Sequence, residues 1–319
     1  MASNGGNLGR DKLSWPQEMW DRIDAAVHDE MKRTVIARRF IPVVPAAPDA
    51  LTVAADTVTV NTGEPAAANK GLLQVNESAV TEIIEIWVEF SLTQQQVERE
   101  ATLSSAVTLA TRAANLLAQG EDLLINQGND VLKNNPLFTE GRIHTRAGPG
   151  PVGLANRKSL PNDGGDQVLD VKFTDDPAPR EERYGENTFG VVEDAYSRLQ
   201  GKGHYGPYAL VLPPGPNADT RAPLKTTLIM PADRITSLVE GRFYGTGTLP
   251  EIPELLGVML SWGGNTIDLV IGRDATTAFL QEDSEGLYRF RVFERFALRD
   301  KDPTSRFLLI FQPSARPPD

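Results

Sequence analysis

Three histidines, a few paired acids and no cysteine are the residues from which this chain could build a reactive centre. His28, His144 and His204 stand far apart, and none lies at metal-ligand spacing from another. Without cysteine there is no thiolate nucleophile, no thiolate metal site and no disulfide framework, which fits a reducing compartment. Asp175–Asp176 and Glu181–Glu182 sit in a polar stretch, where neighbouring carboxylates read as solvated charge. No GxSxG, GxxxxGK[ST] or HExxH pattern occurs. The glycines of GRFYGTG, Gly241 to Gly247, follow no strand of a βαβ unit and so do not suggest a phosphate cradle. The residue types therefore point to a protein that is not an enzyme and needs no metal.

The elements that would position a binding surface are easier to see. Thr93 to about Gln127 reads as one long amphipathic helix. Val97, Ala101, Val107, Ala110, Ala114, Leu117 and Leu124 line one face, and Thr93 with Gln96 forms a capping box. At ~1.5 Å per residue it would span roughly 50 Å, with at most one break, near Gly120. Just before it, Glu82 to Leu92 alternates as a strand, with Ile84, Ile86, Val88 and Phe90 on one face and Glu85, Trp87 and Glu89 on the other. Tyr288 to Phe296 alternates likewise, and its Arg289, Arg291 and Arg295 complement those acids, so the two strands are expected to pair.

With 319 residues, 40% of them hydrophobic, the chain can bury one large or two modest cores. The formal charge of −11 argues against nucleic-acid binding. No apolar leader is seen at the start and no stretch approaches a membrane span, so a soluble cytoplasmic protein is expected. In chain order, Ser14 caps a helix running to about Arg39, with Trp20, Ile23, Val27, Met31 and Val35 on one side. That stripe serves either as core packing or as a groove for a partner's peptide. Residues 41–70 are rich in proline and small residues and read as an extended arm or hairpin that needs a neighbour for stability. Residues 128–188 carry so much Gly, Pro, Asn and Asp that they read as an insertion or surface lid. A helix over 187–199, a buried strand at 208–212, a turn-rich excursion at 213–221 and a short helix over 232–239 follow. Strands at 255–261 and 267–271 are joined by the turn Trp262–Gly263–Gly264–Asn265. The class is α+β.

Four segments, in order, resemble encapsulin shell proteins: LSWPQEMWDRIDAAVHDEMKRTVIARRF from Leu13, GHYGPYALVL from Gly203, LSWGGNTIDLVIGRD from Leu260 and YRFRVFERFALR from Tyr288. The resemblance implies a tailed-phage major-capsid fold and a subunit of a self-assembling icosahedral nanocompartment. Residues 1–40 would be the N-terminal arm and helix, and 41–82 the extended loop (E-loop). Residues 83–207 with 261–319 would form the peripheral (P) domain, including the insertion 128–188, and 208–260 the axial (A) domain. Encapsulin shells enclose dye-decolourising peroxidases or ferritin-like iron oxidases, held by a short C-terminal peptide. The positions matching the cargo groove are Met31, Val35, Ile36, Arg38 and Phe40, with Arg38 pairing a carboxylate or carbonyl. Pro42 stands where the family often has an acid. Arg242, Phe243, Tyr244, Gly245 and Thr246 would line the five-fold pore. Some members bind flavin through a tryptophan early in the spine helix; the matching residue here is Gln95, so no cofactor is expected. The alternative within the same fold is a phage or prophage major capsid protein, which would begin with a cleaved scaffolding segment.

Overall fold

The computed structural model describes residues 8–60, 73–76, 78–146, 152–174, 184–223, 228–251 and 253–313. Helix α1 spans Gln17–Thr34 and starts from Pro16, so Ser14 does not cap it. It ends five residues before the expected Arg39, because Val35 is extended and Ala37–Arg39 tightens into a 3₁₀ turn. The arm follows with strands β1 (Val43–Pro45), β2 (Thr52–Ala54), β3 (Val58–Val60), β4 (Leu73–Val75) and β5 (Val80–Glu82). Strand β6 (Ile84–Thr93) then runs into the expected capping box, in which Thr93 and Gln96 bond reciprocally.

The expected single helix is three: α2 (Gln94–Glu98), α3 (Glu100–Leu103) and α4 (Ser105–Gln127). The breaks fall at Arg99 and Ser104, not at Gly120, which lies inside unbroken α4. Ser104 turns left-handed at φ 51°, and the buried carboxylate of Glu100 accepts from the backbone N–H groups of Ala106 (2.8 Å) and Val107 (3.3 Å). A side chain from the preceding helix thus caps the new one and fixes the kink.

The described residues between 128 and 188 pack against the body instead of standing apart from it as a surface lid. They carry α5 (Val131–Asn134), α6 (Pro136–Thr139), β7 (His144–Arg146) and β8 (Val168–Val171). Strand β7 pairs with β6. Ile143, Leu154 and Leu160 are buried. A Cβ on Gly153 would meet the Gln127 carbonyl carbon at 2.3 Å, so only glycine lets this segment cross the end of α4 so closely.

The remainder comprises α7 (Gly185–Gly201), β9 (Tyr208–Leu212), α8 (Pro214–Asp219), α9 (Pro231–Leu238), β10 (Phe243–Gly245), β11 (Leu255–Ser261), β12 (Ile267–Glu282), β13 (Leu287–Asp300) and β14 (Arg306–Phe311). The excursion after β9 therefore holds a short proline-initiated helix.

Two five-stranded sheets result, in the orders β1-β12-β13-β6-β7 and β10-β9-β11-β14-β8. The expected pairing of β6 with β13 holds, with Glu89 opposite Arg291 and Glu85 opposite Arg295. Arg291 and Arg295 both reach Glu85, at 3.1 and 3.6 Å. The turn at Trp262–Asn265 closes no hairpin, because β11 and β12 lie in different sheets and the turn carries the chain between them. The second sheet takes β8 and β14 from outside residues 208–260.

Helices α1 and α4 cover the first sheet, and their shared core also takes Ala209, Val211, Val258, Leu260 and Leu308 from one face of the second. The other face, with Leu210, Leu212, Met259, Phe307 and Leu309, packs with Val192, Ala195 and Leu199 of α7 and Ile235 of α9. Burial on both faces is why YALVL reads as an unbroken apolar run. The arm is built differently: among the described residues β2 pairs only with β5 and β3 only with β4, in two ribbons of two strands each.

Candidate functional site

The residues matched to a docking groove all fall where α1 ends against α4. Helix α1 is fixed along its length by polar pins through neighbouring elements: Trp15 Nε1–H donates to the Val97 carbonyl at 2.9 Å, and Asn115 donates to Glu30 at 2.7 Å. Trp15, Trp20 and Phe290 pack beneath it with ring centroids 5.0 to 6.3 Å apart. At its trailing end the backbone N–H groups of Ile36 and Ala37 donate to the two oxygens of Asp122, each at 2.9 Å. This carboxylate caps the 3₁₀ turn from another element, and it also sets the direction in which the next residue, Arg38, leaves the turn.

Arg38 is saturated by acids. Its Nε donates to Glu121 at 2.7 Å, Nη2 to Glu294 at 2.6 Å and Nη1 to Asp274 at 2.8 Å. Glu121 and Glu294 have no exposed surface, and Asp274 is half exposed with His28 at 3.5 Å. Burial pushes Glu121 above the ordinary carboxyl range, although the Arg38 charge pulls it down. It pushes Glu294 well above that range, reinforced by the Glu121 charge. Asp122 is raised to about 7 by burial, against its two backbone donors. Asp274, where burial acts the same way, is nevertheless held low by its hydrogen bond and charge pairing with Arg38.

Of the five groove residues, Met31, Val35 and Phe40 are in the core. Ile36 is half-buried, and Arg38 keeps 18% of its side chain exposed. The structure thus gathers the five at one junction, but offers a ligand only Ile36 and the edge of Arg38. Exposed His28, Lys32, Arg33 and Arg39 surround them.

The five expected pore residues lie on β10 and its flanks, at the edge of the second sheet. Phe243 and Thr246 are buried. Thr246 bonds Thr248, which accepts from Asn126 of α4. Tyr244 stacks on Phe40 with centroids 5.8 Å apart, so the groove and pore sets touch. Gly245 is exposed, and Arg242 and Tyr244 are partly covered. Gln95, the position matched to flavin binding, lies in α2.

The sequence reading missed Glu121, Asp122 and Glu294. A signal was present: Glu294 interrupts the apolar face formed by Phe290, Val292 and Phe296, and the Glu121–Asp122 pair is the one acidic pair in α4. Among the described residues no group of His, Asp and Glu is arranged to hold a metal ion. No helix among them is long and apolar enough to cross a membrane.

Residues 5–143 and 174–297 match the model of a family described as encapsulating protein for peroxidase. The chain is 25% identical over 309 residues to a type 1 encapsulin shell protein of Myxococcus xanthus (strain DK1622), covering 93% of each. A virus-like particle from Pyrococcus furiosus superimposes with TM-score 0.62 and 15% identity, over 92% of this chain and 99% of that one. The capsid of Mycobacterium phage Bobi does so with TM-score 0.56 and 13% identity, over 88% of this chain and 91% of that one. At these identities the two structures establish a shared capsid-like fold.

Proposed function

The chain belongs to the encapsulating-protein family, and from that premise we propose that it is the shell subunit of a closed, icosahedral protein compartment that encloses a cargo enzyme. In this reading the first sheet with α1 and α4 serves as the P domain, and residues 41–82 as the E-loop. The second sheet, including 208–260, serves as the A domain. The observation that carries the assembly step is the arm. Val75 and Val80 in its two ribbons are 53% and 61% exposed, Leu51 just before β2 is 74% exposed, and isolated two-stranded ribbons are marginal in water. Neighbouring copies would supply the missing contacts.

The cargo is proposed to be a dye-decolourising peroxidase or ferritin-like oxidase held by its C-terminal peptide over Ile36, at the Met31–Phe40 junction. With Arg38 engaged by three acids, the peptide would meet Ile36 and the surrounding charged rim. The pore role of residues 242–246 would fall to Arg242 and Gly245. The phage capsid alternative shares the fold, and the family match favours the shell.

Negative-stain electron microscopy after size exclusion tests the assembly reading: uniform hollow particles are expected, and a monomer-sized species would overturn it. For the cargo step, Ile36→Asp is expected to give closed particles from which co-purified cargo is lost. Unchanged loading would move the docking site elsewhere.

A further inference from the structure

Beneath Arg38 lies a group of acids that neither assembly nor cargo binding employs. Arg38 faces it from the 3₁₀ turn, Glu121 and Asp122 from α4, Asp274 from β12 and Glu294 from β13. His28 reaches its rim from α1. Strand β6 presents only Ile86 opposite Glu294. Three carboxyl groups therefore bond one guanidinium, with a fourth, Asp122, next to Glu121 in the chain.

Two of the four are accounted for. Asp122 accepts two backbone N–H groups, and half-exposed Asp274 accepts from Arg38 and from the Ala275 N–H. Glu121 and Glu294 differ: each is fully buried, and each gives one oxygen to Arg38. Among the described residues no donor reaches the other oxygen of either, Oε2 of Glu121 and Oε1 of Glu294. The nitrogens that hold them, Nε and Nη2, form one edge of the guanidinium and so bring the two carboxyl groups side by side. Two adjacent carboxylates removed from water repel, and each leaves a buried acceptor unsatisfied; one proton between them removes both costs.

We propose that Glu121 and Glu294 form a buried proton-binding site, with the proton carried on Glu294 and donated to Glu121, tying α4 to β13 beneath Arg38. Both carboxyl groups accept from the same edge of Arg38, each with a free buried oxygen, and burial raises both acids, Glu294 the more. The consequence has a definite sign. A carboxyl group whose folded value is raised makes the folded state bind more protons, so its contribution is lost as the pH climbs toward that folded value. The site also sits at the root of the arm. Arg38 precedes Pro42 by four residues, and the Pro42 carbonyl accepts from the Leu269 N–H where β1 begins to pair with β12. Deprotonation would loosen that root, so alkaline conditions would open the particle.

Infrared difference spectroscopy of the wild-type particle, from neutral to alkaline pH, tests the site directly. A protonated carboxyl C=O band is expected at neutral pH, lost on alkalinisation and absent in Glu294→Gln. The glutamine keeps a donor toward Glu121 without a titrating proton, so light scattering should place its alkaline disassembly at higher pH than in the wild type. A wild-type spectrum without the band overturns the proposal, as does a variant whose disassembly follows the wild-type curve. Should Glu294→Gln fail to assemble, the wild-type band decides alone. The scattering readout rests on the shell reading, whereas the infrared band does not, so the two failures are distinguishable.

Discussion

Arg38→Met removes the guanidinium while keeping the aliphatic stem that packs at the α1–α4 junction. Glu121 and Glu294, both without exposed surface, then lose the cation from which each accepts a hydrogen bond, at 2.7 and 2.6 Å. Removing one partner of a buried ion pair costs about 3–5 kcal/mol, because the remaining charge stays desolvated. Unfolding entropy of ~2.1 cal/mol/K per residue turns this into a melting-temperature loss of about 4–7 °C for a chain of 319 residues. The loss has a pH signature. Without Arg38 the folded values of both acids rise further, so the deficit is full above those values and shrinks as the pH falls toward the ordinary carboxyl range. Calorimetry at about pH 7.5 and about pH 5 should therefore show a smaller gap from wild type at the lower pH. Arg38→Met/Glu121→Leu/Glu294→Leu, which takes out the stranded acids as well, should recover most of the loss. A single variant within about 1 kcal/mol of wild type at neutral pH would refute the reasoning, as would a triple variant less stable than the single.

Two further outcomes follow from the same region. Asp122 is raised from 3.8 to about 7, so its contribution to stability declines as the pH rises across that window; Asp122→Asn should flatten that part of the slope in denaturant midpoints against pH, and an unchanged slope would contradict the assignment. Arg299 clasps Asp268 through two 2.7 Å bonds and reaches the arm at the Ala54 carbonyl and Asp56, while Asp268 keeps Lys301 at 2.7 Å. Arg299→Ala should thus cost only about 1–3 kcal/mol of subunit stability yet expose residues 46–56 to protease and lower particle yield. Wild-type yield with an equally resistant arm would show that the root does not depend on this contact.

How much of this was legible follows from where the causes lie. The β6–β13 pairing was, because alternation and charge are both local: Glu85 and Glu89 oppose Arg295 and Arg291 residue by residue. The capping box was too, since its two partners are three residues apart. The break at Ser104 was not, because apolar spacing continues through it and the cap comes from Glu100 in a separate turn. Residues 128–188 hid their role for a related reason. Single apolar residues such as Ile143, Leu154 and Leu160 are buried from a loop-like composition, and only tertiary docking shows it. The site suffered most: Arg38 is expected from the resemblance to pair with a carboxylate or carbonyl of a bound peptide, whereas Glu121 and Glu294, 83 and 256 residues away, already engage it.

The contrast between body and arm is the strongest physical argument in the molecule. The body buries both faces of one sheet and the inner face of the other, and pins the residues flanking α1 through Asp122, Glu121 and Val97. Among the described residues the arm has only a small apolar seat at its root, where Ile83, Val270 and Ala297 meet Ala46, Ala50 and Val53. Arg295, bonded to the carbonyls of Pro48 and Ala50, holds that root to the sheet. Anything that binds the arm in its folded form stabilises that form by mass action. A second copy of the chain, always present at the concentration of the first, is the partner best placed to do so. A rigid body with an under-supported arm therefore favours association over isolation, and the buried acids beneath Arg38 lie where that association meets the core.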